Sequence, residues 1–190
     1  MKFKLVFQLV LLAFAAITFQ CSDDDDPILV NEEEVITTMI VTLVEQGSSG
    51  SPIILRSQDL DGDGPGAPVI TVSGPFSSNT TYDGDITLLN ETDSPVEDIT
   101  EEIEDERDEH QFFFLLSGTI DLDIDYTDGG GVSGPVGLTF SLTTGEASTG
   151  TLTIVLRHEP DTSAPGVSDG DITNAGGETD IEQTFSIEIQ

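Results

Sequence analysis

The segment Thr119-Ile120-Asp121-Leu122-Asp123-Ile124-Asp125-Tyr126 alternates apolar and acidic residues. A period of two belongs to a β-strand, whose successive side chains point to opposite faces. Ile120, Leu122, Ile124 and Tyr126 therefore face a core, and the three aspartates face water, as in an antiparallel sheet with one solvated side. Other runs rich in Val, Ile, Thr and Phe read the same way: Val35 to Val44, Ile53 to Gln58, Pro68 to Val72, Thr81 to Leu89, Gln111 to Leu116, Val136 to Leu142, Gly150 to His158 and Ile181 to Ile189. Turn chemistry punctuates them at Gly47-Ser48-Ser49-Gly50, Asp83-Gly84, Ser117-Gly118, Gly129-Gly130-Gly131 and Thr144-Gly145. Short strands at this spacing imply an all-β, immunoglobulin-like antiparallel β-sandwich.

One helix is expected to interrupt the strands. Ser94, Pro95 and Glu97 supply an N-cap, a first-turn proline and a capping box, and Val96, Ile99 and Ile103 follow at helical spacing. Its other face is acidic from Glu97 to Glu109, relieved by Arg107 alone. Like charges four residues apart, such as Glu97 and Glu101, oppose an isolated helix by a few tenths of a kcal/mol each.

The N-terminus carries address information. Met1 to Lys4 is a short basic region, and Leu5 to Phe19 is an apolar run broken only by Gln8 and Thr18. This is the pattern of a secretion signal, and the run is shorter than the ~20 residues that span a bilayer. Cys21, the single cysteine, follows it directly and precedes Ser22-Asp23-Asp24-Asp25-Asp26. A cysteine at this place resembles the acylation site of a bacterial lipoprotein, although Gln20 stands where such signals usually carry Gly, Ala or Ser. The Ser-Asp-Asp-Asp-Asp run resembles the signal that exports Bacteroidota lipoproteins to the outer face of the outer membrane. Three parts are thus expected: a signal peptide over 1–20, a lipidated acidic tether over 21–34 and a β-sandwich over 35–190, held to the membrane through Cys21 and facing the cell exterior.

Charge narrows the partners. Beyond residue 20, the only cations are Arg56, Arg107 and Arg157, against 37 acids. Nucleic-acid binding draws on cationic side chains that displace counterions from phosphates, so that class is excluded, and anionic glycans or membrane surfaces fit no better. A cation, a basic protein or plain solubility suits this field. With one cysteine there is no disulfide framework, and burial must hold the domain.

Two histidines are present, His110 in Asp108-Glu109-His110-Gln111-Phe112 and His158 in Leu156-Arg157-His158-Glu159-Pro160. Imidazole beside carboxylate suits zinc, copper or iron. If the fold brings the two strands together, His110, His158, Glu109 and Glu159 form a candidate mixed site; otherwise His158 closes the core edge through a hydrogen bond. Asp59-Leu60-Asp61-Gly62-Asp63-Gly64 opens like an EF-hand calcium loop, with Asp59, Asp61 and Asp63 as ligands, but Ile70 stands where the bidentate glutamate belongs. The same composition also makes a plain polar turn. Pro160 to Asp180 has no apolar periodicity and reads as a binding loop, or as one pinned by an ion through Asp169, Asp171, Glu178 and Asp180. No nucleophile elbow, zinc-protease helix or phosphate loop occurs, so an enzyme is not expected.

Taken together, Asp59 to Gly64, Glu109-His110-Gln111-Phe112-Phe113, Leu156 to Pro160 and Gly176-Gly177-Glu178-Thr179-Asp180-Ile181 resemble a family of uncharacterised Bacteroidota surface lipoproteins, across most of the mature chain. Members of that family are labelled with a type 1 periplasmic-binding fold, which implies two doubly wound lobes; one helix among nine strand candidates implies a sandwich instead. The functions expected are capture of a metal ion or metal complex for an outer-membrane transporter, or a calcium-stabilised adhesion module without catalytic activity. An extracellular hydrolase would need a cleft that no motif marks.

Overall fold

The computed structural model describes residues 34–62, 64–129 and 134–190. The expected signal peptide, Cys21, the tether up to residue 33, Asp63 and the glycines at 130 and 131 lie outside the described residues. Among the described residues, ten strands and one α-helix follow in order: β1 (Thr38–Glu45), β2 (Ile53–Gln58), β3 (Val69–Val72), β4 (Thr81–Asn90), β5 (Glu97–Asp98), α1 (Ile99–Asp105), β6 (His110–Gly118), β7 (Leu122–Tyr126), β8 (Thr139–Thr144), β9 (Ser148–His158) and β10 (Glu178–Ile189). The larger sheet runs β3-β2-β1-β4-β8-β7, with β5 paired to β4, and the smaller runs β10-β9-β6. These strands pair antiparallel throughout. The all-β sandwich read from the alternation is the fold observed.

The core lies between the sheets. Met39, Val41 and Leu43 of β1, Ile86 and Leu88 of β4, and Phe140 and Leu142 of β8 meet Phe112 of β6, Leu152, Ile154 and Leu156 of β9, and Phe185 and Ile187 of β10. Each burial of such a side chain contributes about 1.5–3 kcal/mol. In β7, Leu122 and Ile124 pack against this core while Asp121, Asp123 and Asp125 remain exposed, as the alternation requires.

Four details differ from the sequence reading. Asp83-Gly84 is no turn: Gly84 sits inside β4 beneath the Phe140 ring, which a Cβ would strike at 2.5 Å. The helix starts later, at Ile99, with Asp98 as N-cap accepting from the Thr100 amide. Pairing of Glu97 and Asp98 with Asn90 and Leu89 keeps those residues extended, so Ser94 does not cap the helix and Val96 is exposed; Ile99 and Ile103 do face the core. Residues 136–138 cross between sheets, because the Val136 carbonyl accepts from Phe112 of the smaller sheet and the Leu138 carbonyl from Ile86 of the larger. Gly137, at φ +90° between them, makes that corner.

The fourth difference concerns residues 160–177. They form an ordered strap over the outer face of the smaller sheet, with 3-10 turns at Val167–Asp169 and Ile172–Asn174. Val167 and Ala175 pack, fully buried, against Phe113 and Val155. The Gln111 side chain donates to the Val167 carbonyl at 2.6 Å, and the Asp161 amide donates to Ala175 at the same distance. Asp171 caps the second turn by accepting from Thr173. Two apolar anchors and local hydrogen bonds hold this segment, which is why it shows no periodicity.

Candidate metal centre

His110 opens β6 and His158 closes β9, and the register sets them directly opposite one another. Both lie in line with core residues, Phe112 on β6 and Leu156 on β9, so both rings turn toward the interior at one end of the sandwich. Their centroids are 4.5 Å apart at 70°. The two histidines that the sequence offers are thus brought together.

Two carboxylates complete the group, and sequence reasoning names neither as a ligand beside the histidines. Glu34 falls in the expected tether; it lies in the lead-in to β1, whose Thr37 amide already bonds the Leu89 carbonyl. Asp180 belongs to β10 at a break in the ladder: Thr179 opposes Arg157, but Ile181 opposes Leu156, and Asp180 is the extra residue. A β-bulge of this kind re-aims a side chain. Here it brings Asp180 against the histidines while Ile181 still reaches the core. Gly177, at φ +68°, packs so closely on the His158 carbonyl that a Cβ would lie 2.2 Å from it, and this contact lets β10 start against the end of β9.

The ligand atoms lie close enough to share one ion. His110 Nε2 lies 3.1 Å from Glu34 Oε1 and 3.8 Å from Asp180 Oδ2. His158 Nδ1 lies 3.6 Å from the same Glu34 oxygen and 3.9 Å from Asp180 Oδ1. Zinc bonds of about 2.0–2.1 Å at tetrahedral angles set ligand atoms roughly 3.3 Å apart. Calcium takes six to eight oxygens and does not suit a pair of imidazoles.

Burial makes the electrostatics sharp. Side-chain exposure is 0% for His110, 2% for Glu34, 4% for Asp180 and 8% for His158. Taking one carboxylate out of water without compensation costs several kcal/mol. Glu34 Oε2 is buried and has no hydrogen-bond partner among the described residues. The His110 ring meets acceptors on both nitrogens, the Glu106 carbonyl at Nδ1 (3.2 Å) and Glu34 at Nε2. A neutral imidazole carries one N–H, so a second proton or a cation completes the arrangement. With Nδ1–H donating to the carbonyl, Nε2 is the ligand atom, the orientation that metal-binding histidines adopt. One divalent ion would balance the two carboxylates. The centre is therefore a buried Glu, Asp and two His cluster able to hold a metal ion.

The other expected ligands fall elsewhere. Glu109 and Glu159 form a second, outward group with His158, whose Nε2 lies 3.9 Å from Glu109 Oε2. Strand neighbours point to opposite faces, so residues flanking the histidines could not join the inner four. The two described aspartates of the calcium-like loop bond to nearby backbone: Asp59 accepts from the Asp61 amide and Asp61 from Gly66. Asp169, Asp171 and Glu178 are exposed and take no part in either group. Among the described residues no helix is long and apolar enough to cross a membrane. Comparison with protein-family models, curated proteins and solved structures finds no match, so geometry alone carries the functional reading.

Proposed function

We propose that this chain is a lipoprotein, anchored through Cys21 and exposed on the outer membrane, whose sandwich captures one divalent transition-metal ion on Glu34, His110, His158 and Asp180. Zinc is the ion that two imidazoles and two carboxylates suit best. The observation that carries this reading is the meeting of two buried carboxylates with two imidazoles on one rung. A shell closed by four protein ligands leaves no open coordination position, which argues for binding and retention rather than for catalysis on the metal. It also favours a metal-holding module over one that hands its ion to a transporter.

The test is elemental mass spectrometry of protein purified without chelator, alongside the His110→Ala/His158→Ala variant. Zinc near one per chain, lost in the variant, is the expected outcome. Equal metal in both proteins, or none in either, would overturn the reading.

A further inference from the structure

The buried centre raises a problem of access, since its four ligands are between 0% and 8% exposed. An ion must pass some group that reaches both solvent and interior. His158 is that group: Nδ1 faces Glu34 and Asp180, whereas Nε2 faces Glu109, whose side chain is 52% exposed. Glu159, also exposed, completes the outer trio with ligand atoms within 4.8 Å of one another. The backbone holds the trio in place. The Glu159 amide donates to the Glu109 carbonyl at 2.6 Å, and Glu159 sits at φ +48°, a left-handed conformation that L side chains rarely adopt. Strain of this kind collects at working sites.

Building on the metal-capture reading, we propose that Glu109, Glu159 and His158 Nε2 form an outer loading station, from which a hydrated divalent transition-metal ion passes across the His158 ring to the inner four ligands. Two exposed carboxylates and one imidazole nitrogen bind weakly and exchange quickly, as an entry point must. Four buried donors bind tightly. Because the station lies on the path both in and out, it sets rates and leaves the equilibrium to the inner ligands.

Stopped-flow uptake of cobalt(II), followed by its d–d absorption, and of zinc tests this on the full chain. Glu109→Gln/Glu159→Gln should slow association and dissociation by about tenfold each, with Kd unchanged within about twofold. Glu101→Gln/Glu104→Gln removes equal charge from exposed positions on α1 and should leave both rates near those of the unaltered protein. Matching thermal unfolding without metal guards against a folding defect. Unchanged rates in the Glu109/Glu159 variant, equal slowing in the control, or a second bound ion at saturation would overturn the loading station while leaving the inner centre standing. Failure of the unaltered protein to take up either metal would overturn both.

Discussion

The loop from Asp59 to Gly66 and the cluster at the end of the sandwich both gather carboxylates, and they use them in opposite ways. The loop resembles a metal motif along the chain, yet its described oxygens accept from amides two and five residues away. The cluster has no motif along the chain, since its members at positions 34, 110, 158 and 180 come from four separate segments. In the loop, Asp59 and Asp61 lie near the surface and accept from backbone amides. At the cluster, the carboxylates are buried against two imidazoles, where a proton or a cation answers the charge. Adjacency in sequence makes turns; adjacency across rungs makes this site.

The largest expected effect separates the two regions through their glycines. Gly177→Ala meets both a positive φ and the His158 carbonyl, and should destabilise the fold by roughly 3 kcal/mol or more. Gly62 has a similar φ of +54° but nothing within 4 Å of an added Cβ, so Gly62→Ala should cost about 1 kcal/mol. Urea unfolding of both variants makes the comparison; equal losses would mean that β10 is not held where described.

Next comes affinity. Asp180→Asn should weaken zinc binding on the order of a hundredfold, because it removes the charge of one of four ligands. Asp61→Asn should leave zinc affinity unaltered and should add or remove no calcium. Competition with a chromophoric chelator reads the first, and calcium titration calorimetry the second.

The smallest effect concerns Glu102 on α1, whose carboxyl is pushed above the usual range by partial burial, by Glu106 and by Glu34. A raised folded-state value means that its ionised form opposes folding. The penalty is present at neutral pH and disappears as pH falls through the carboxylate range. Glu102→Gln should therefore raise Tm slightly at pH 7 and not at pH 3, and an ion on Glu34 should shrink the gain by neutralising part of that repulsion.

Much of the architecture is legible in the sequence because β7 and its neighbours must alternate to keep one face dry. The strap is not, since two buried side chains, Val167 and Ala175, create no period. The start of α1 misleads because Ser94, Pro95 and Glu97 carry capping chemistry that pairing with β4 overrides. Both histidines stand out by their scarcity, but Glu34 and Asp180 do not: one lies in an acidic stretch, and the other depends on a register shift that no single strand announces. Glu109 and Glu159 suggest themselves as sequence neighbours of the histidines, and alternation turns them outward.

The bulge at Asp180 has a consequence for how such a centre can arise or vanish. An extra residue in a strand is ordinarily a flaw for the ladder to absorb, yet here that residue is a ligand. Its deletion would leave Thr179 opposite Arg157 and Ile181 opposite Leu156, as they already are, and the ladder would simply become regular. A single-codon event could thus install or erase the acidic ligand without repacking a core side chain. Related chains should accordingly be compared by the number of residues between the glycine pair 176–177 and the first core position of the last strand, rather than by a linear signature.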